Sequence, residues 1–165
     1  MLRSRKSGDM MEVELKMEKK YDDEEKLGTP ARVLDWLNKT LQSREPNFPP
    51  CQKTDWKSIQ EFLKDGIVLC KVINTLLEAD KMPKIRFRSK AKMAFVAMAN
   101  IESFNLAAEE YGVPTEALFQ TNDITDGRKG PMINVINCLN QLGFVANGKG
   151  FQPAYLAPEP PRVEW

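Results

Sequence analysis

The 165-residue sequence contains no histidine. That absence removes the commonest general base and the commonest zinc ligand, and with them every cysteine–histidine nucleophile and every histidine-containing zinc site. Cysteine is scarce: Cys51, Cys70 and Cys138 are too few and too scattered for a disulfide framework, and any pairing leaves one over, so a reducing compartment is the expected setting. Nor is there an excess of charge of either sign. With 24 basic against 23 acidic residues, no global field draws the chain to nucleic acid or to an anionic membrane, and an electrostatic partner has to be met by a local patch. Long apolar runs are missing as well: Ile67, Val68, Leu69 and Cys70 are typical of the longest, against the roughly 20 residues that a membrane-spanning helix needs. The opening MLRSRKSGDMMEVELKMEKK has basic residues but no continuous apolar stretch of the kind a secretion signal uses. The expectation is a cytoplasmic protein with no membrane and no nucleic-acid partner.

What is present is the balance of an ordinary globular domain: 42% hydrophobic and 28% charged residues, in a length that suits one domain and is short for two. Residues 1–29 carry little apolar periodicity and include the run Asp22, Asp23, Glu24, Glu25, so they read as a charged, flexible N-terminal extension. Residues 144–165 form a proline-rich C-terminal segment, in which Gln152 to Trp165 hold Pro153, Pro158, Pro160 and Pro161, which exclude helix there and favour an extended strap or linker. Between them, residues 30–143 read as helices with clear punctuation. Thr29 as N-cap and Pro30 in the first turn open a helix with the stripe Val33, Leu34, Trp36, Leu37 and Leu41. Thr54 and Asp55 precede a shorter one with Trp56, Ile59, Phe62 and Leu63. From Ile67 to Leu77 apolar residues cover most of the circumference, which predicts the central, buried helix. A long helix follows, with Phe95, Met98, Ile101, Phe104, Ala108 and Tyr111 as its expected buried stripe, stopped by Gly112 and Pro114. Gly130 and Pro131 open a last helix carrying Met132, Val135, Ile136, Leu139 and Leu142 and closed by Gly143. No strand pattern appears, and the predicted fold class is all-α, a compact helical bundle.

Motifs with catalytic or metal-binding chemistry fail on their mechanics. Gly143 to Lys149 has the spacing of a phosphate-binding loop, but Gly150 stands where a magnesium-holding hydroxyl is needed and a helix precedes it where a strand is required. It reads as a helix C-cap and a flexible loop. Asn122 to Gly127 resembles the start of a calcium loop, yet Ile124 takes a ligand position and Ile133 stands at the closing glutamate. Cys70 and Cys138 fall on apolar helix faces, where cysteine acts as a small hydrophobe, and Cys51 has no base beside it. No catalytic, cofactor-binding or metal residue is assigned. Asn100 and Asn105 in the long helix read as solvent-facing or satisfied amides, and Trp36 and Trp56 as core.

Four strings in order carry a family likeness: LKDGIVLCKVIN (63–74), AAEEYGV (107–113), LFQTND (118–123) and INCLNQLG (136–143). With the helix order, they make residues 30–143 resemble a calponin-homology domain, in particular the calponin and transgelin type with its invertebrate muscle relatives. The resemblance implies a helical domain without enzymatic activity, in a family that associates with actin filaments or serves as a cytoskeletal and signalling adaptor. The expected partner is an actin filament or an actin-associated protein; tubulin or a signalling enzyme are the alternatives, and a monomer is expected. In tandem actin-binding members of the family the contact includes the first and last helices, which correspond here to residues 31–41 and 131–142. The polar face of the latter, Asn134, Asn137, Asn140 and Gln141, reads as solvated.

The sharpest charge cluster in the domain is Lys81, Lys84, Arg86, Arg88, Lys90 and Lys92, with no acidic residue among them. From Lys84 the cations occupy every second position, so an extended backbone sends them to one side while Ile85 and Phe87 anchor the other. This ridge is the candidate partner-binding site; the competing reading is a solvated loop whose charges serve solubility.

Overall fold

The computed structural model describes residues 2–90 and 92–156, with side chains from Met10 onward. The element order is α1 (Leu2–Lys26), α2 (Thr29–Arg44), α3 (Trp56–Leu63), α4 (Ile67–Ala79), α5 (Ala94–Tyr111), a 3-10 turn (Thr115–Ala117), α6 (Thr121–Thr125) and α7 (Met132–Gly148). No strand occurs among the described residues, in agreement with the all-α reading. Helix α4 is the central element: Leu69, Cys70, Val72, Ile73 and Leu76 have no exposed surface at all, and α2, α3 and α5 pack around it. Helix α3 starts where the sequence placed it, with the Asp55 carboxylate accepting from the Ser58 amide at 3.0 Å as an N-cap.

Three local expectations are corrected. The cap of α2 is Gly28 and not Thr29, because α1 ends only two residues earlier and the chain turns through Gly28 at φ +82°, a left-handed conformation that glycine adopts without strain. Thr29 instead lies in the first helical turn and donates its hydroxyl to Glu24 at 2.6 Å. Second, α7 does not close at Gly143 but runs to Gly148. Gly143 sits mid-helix because the Tyr155 side chain packs directly against it, and an added Cβ would collide with that ring.

The third concerns α5, where Phe95 and Met98 are exposed and the buried face begins with Val96, Ala97 and Asn100 before continuing through Ile101, Phe104, Ala108 and Tyr111. Three successive steps of three residues each fall about 60° short of a full turn, so Phe95 and Phe104 end about 180° apart and cannot share a face.

The N-terminal segment also differs from the flexible extension read in the sequence. It forms α1, which packs on α2 and α7. Tyr21 is fully buried, Met17 packs against the core, and Gly130 admits the α1 backbone so closely that a Cβ there would stand 3.3 Å from the Glu14 carbonyl oxygen. Ion pairs Glu14–Arg128 and Asp22–Lys129 flank this contact at the surface, where each contributes less than about 1 kcal/mol. One tyrosine and one methionine are too little apolar periodicity to register as an amphipathic stripe.

After α7 the chain folds back as the strap. The Asn147 side chain pairs with the Tyr155 backbone on both its amide and its carbonyl (2.8 and 2.7 Å), the Tyr155 hydroxyl donates to Asn140, and the Trp36 indole donates to the Pro153 carbonyl at 3.0 Å. Tyr155 is buried, with its ring edge-on to Trp36 and Phe144. The remainder of the expected strap, with Pro158, Pro160 and Pro161, lies outside the described residues.

Leu69→Ala should therefore lower unfolding stability by about 2–5 kcal/mol through lost burial and an unfilled cavity. An unchanged urea midpoint would show that α4 is not the core. Gly143→Ala should displace Tyr155 at a cost of about 1–3 kcal/mol from overpacking, read as a lower midpoint and a red-shifted Trp36 emission as the strap leaves the indole.

Candidate functional site

Between α4 and α5 the chain passes through twelve positions that hold all six cations of the ridge, and Lys81, Lys84, Arg86, Arg88, Lys90 and Lys92 are all exposed. Helix α4 stops at its start because Lys81 turns left-handed at φ +58°, which brings the Met82 amide onto the Leu77 carbonyl at 2.8 Å in a Schellman-like close. Ile85 and Phe87 are half-buried and packed against the core, so the alternation of charge outward and anchor inward is present. Among the described residues, none of the six cations takes part in an ion pair.

The segment has no sheet to hold it, and two asparagine side chains do that work. On α4, Asn74 accepts from the Ile85 amide at 2.8 Å and donates to the Ile85 carbonyl at 3.0 Å. On α5, Asn100 accepts from the Arg88 amide at 3.0 Å and donates to the carbonyls of Arg88 and Asp65 at 2.9 and 3.1 Å. A side-chain amide offers the same donor–acceptor pair as a peptide group, so each asparagine pairs with the ridge as a neighbouring strand would. The Asn100 side chain is 3% exposed and fully bonded. Sequence reasoning found the cations and their anchors but missed the two clamps, since an asparagine inside a helical stripe signals nothing about a distant loop.

The clamp depends on a close approach. Gly66 caps α4 at φ +74°, and a Cβ there would stand 2.6 Å from the Asn100 Cβ and 3.0 Å from the Ile101 amide. Only glycine supplies both the conformation and the space.

Asn105 donates to the Phe119 carbonyl at 3.0 Å. Trp36 is buried, while Trp56 is half-buried with the Lys57 ammonium over its ring. Cys70 and Cys138 are buried, and desolvation pushes both thiols up to about 12; burial also raises the half-buried Cys51. A thiol held protonated in this way is a poor nucleophile. On the last helix Asn137 and Gln141 are exposed, but Asn140 is not simply solvated, since it receives the Tyr155 hydroxyl. The stretch likened to a calcium loop forms α6, with Asp123 accepting from the Gln120 amide at 2.8 Å as part of a capping box. Among the described residues no group of histidine, cysteine, aspartate and glutamate is placed to hold a metal ion, and no helix is long and apolar enough to cross a membrane.

A central α4 ringed by α2, α3 and α5, with α7 packed on α2 and this order of long and short helices, defines a calponin-homology fold. The chain belongs to the calponin homology (CH) domain family, whose model matches residues 29–147. It is 45% identical to transgelin of Saccharomyces cerevisiae over 91 residues, which are 54% of this chain and 44% of that protein. To muscle-specific protein 20 of Drosophila melanogaster it is 34% identical over 127 residues, 76% of this chain and 61% of the relative. The chain thus matches about half the length of these curated relatives. Among solved structures, the calponin-homology domain of Rng2 from Schizosaccharomyces pombe superposes with a TM-score of 0.59 over 84% of this chain and 79% of its own, at 20% identity, a likeness of fold.

Asn100→Ala should cost about 1–3 kcal/mol, because it leaves part-buried backbone groups of Arg88 and Asp65 without their side-chain partner. Amide hydrogen exchange should accelerate at Arg88. Asn74→Ala should instead release Ile85, and equal protection at both amides in the two variants would refute the clamp.

Proposed function

We propose that this chain is a non-enzymatic cytoskeletal adaptor that attaches to an actin filament, or to an actin-associated protein, through the ridge formed by Lys81, Lys84, Arg86, Arg88, Lys90 and Lys92. One observation carries the reading: six exposed cations without ion-pair partners among the described residues, on a segment fixed by two asparagine clamps, Asn74 half-buried and Asn100 buried. A solubility loop needs charge but no fixed backbone; a binding surface gains from both, because a preordered segment loses less entropy on association. Membership of the calponin-homology family and the likeness to a transgelin and to a muscle-specific protein support the cytoskeletal setting. The protein would act in the cytoplasm, on the filament.

The electrostatics set how binding behaves. Filament surfaces are acidic, so the ridge raises the encounter rate and its contribution falls as salt shortens the Debye length, which is about 10 Å at 0.1 M. No proton transfer or covalent step is involved, and the two buried thiols play no part.

Arg86→Glu combined with Arg88→Glu should weaken actin cosedimentation by roughly tenfold or more and flatten its salt dependence, with the circular dichroism spectrum unchanged. Lys16→Glu with Lys19→Glu, on exposed α1 positions away from the ridge, should change little. Unchanged binding by the first pair would overturn the proposal, and preferential sedimentation with microtubules in a parallel series would reassign the polymer.

A further inference from the structure

Alongside the ridge lies a groove of about 340 Å³ whose apolar lining is Phe87, Phe95, Val96 and Ala99, with Arg86 and Arg88 along one edge. It opens onto an unusual helix face. Phe95 is 61% exposed and Leu106, on the same helix, 70% exposed, with Ala99 exposed between them. At 100° per residue these three lie within about 40° of one another over about 17 Å, an exposed face that Glu102, about 20° from Phe95, interrupts in the turn between Ala99 and Leu106. Met98, also exposed, lies about 60° to one side of Phe95. The small Ala99 in the middle lets another backbone come close, and the bulky ends give it two apolar anchors. None of these side chains contributes to the buried core, and large apolar side chains gathered on one exposed face are the mark of an interaction site.

Charge decides what lies there. One flank of this face is bordered by the ridge, where Arg86 and Arg88 have no ion-pair partner among the described residues, while Glu102 lies on the same face toward the opposite flank. An occupant with carboxylates on the ridge side is attracted, and one with cations there is repelled. We propose that this face is the docking site for an amphipathic helix of a partner protein, its apolar face at i, i+4, i+7 and i+11 laid along the line from Phe95 through Ala99 to Leu106 and its acidic flank against Arg86 and Arg88. The length of the face accommodates three turns of such a helix. The proposal uses the ridge's cations but not the filament, and makes the two partners competitors for Arg86 and Arg88, so a helix-bearing protein would displace the chain from its filament.

The test is a titration of the isotopically labelled full chain with a synthetic helical peptide of about sixteen residues. It carries leucine on one face at i, i+4, i+7 and i+11, and glutamate along one flank. Backbone amide shifts should move at Arg88, Ala99 and Ser103. Phe95→Asp, an exposed position whose change leaves the core intact, should weaken the peptide at least fivefold, and so should Arg86→Glu with Arg88→Glu. A peptide with lysine in place of glutamate should give no shifts. Absent shifts, shifts elsewhere, or equal response to the lysine peptide would overturn the proposal. So would sedimentation velocity showing a dimer that Phe95→Asp dissolves, which would assign the face to a second copy. Because no filament is present, failure of actin binding leaves this outcome unaffected.

Discussion

The structure turns on how closely α4 and α5 approach where Gly66 meets Asn100. An extra carbon at Gly66 would stand 2.6 Å from the Asn100 Cβ, so the absence of a side chain on one helix is what permits a polar side chain on the other to be buried. Once buried, the Asn100 amide must find partners, because an unmatched polar group in that position costs about 1–3 kcal/mol. It finds them in the carbonyl of Asp65 just before α4 and in both backbone groups of Arg88. The need to satisfy one amide thereby determines the path of a loop that has no regular structure. Cys70 reinforces the junction by donating its thiol to the Asn100 carbonyl at 3.2 Å.

The opposite end of the domain repeats this logic with different residues. Gly143 leaves a flat place on α7, the Tyr155 ring occupies it, and Asn147 pairs with the Tyr155 backbone as Asn74 pairs with Ile85. In both places a glycine gives access and an asparagine supplies the pairing, so irregular chain is attached to the helical frame without a sheet. The strap closes over Trp36, which is why α2 keeps its indole buried although it is the first helix of the family's fold.

Most of the frame could be read in the sequence because burial leaves periodic traces. The apolar wrapping of residues 67–77, the stripe of α2, and Asp55 ahead of α3 each report a local rule that the tertiary structure obeys. The misreadings have physical causes. A glycine near the end of an apolar helical run looks like a terminator, and nothing local to Gly143 reveals that a tyrosine twelve residues later fills its place. The N-terminal helix gave almost no signal, since its docking rests on Tyr21, on Met17 and on the clearance at Gly130, more than a hundred residues away. The spacing of Phe95 and Met98 imitates a stripe, although three steps of three carry a helix face half-way round. The ridge was legible from composition and alternation, while the asparagines that hold it were not, because a long-range side-chain bond to a backbone has no period.

The division of labour within residues 81–92 bears on how such a domain can change over time. Its backbone is held by Asn74 and Asn100, its anchoring by Ile85 and Phe87, and none of these depends on which side chains occupy the outward positions. The cations can therefore be exchanged, one by one, for other polar residues with little effect on folding. The segment behaves as a fixed rack with replaceable contents, and related domains are free to acquire new partners by substitution at these outward sites while the frame beneath is inherited unaltered.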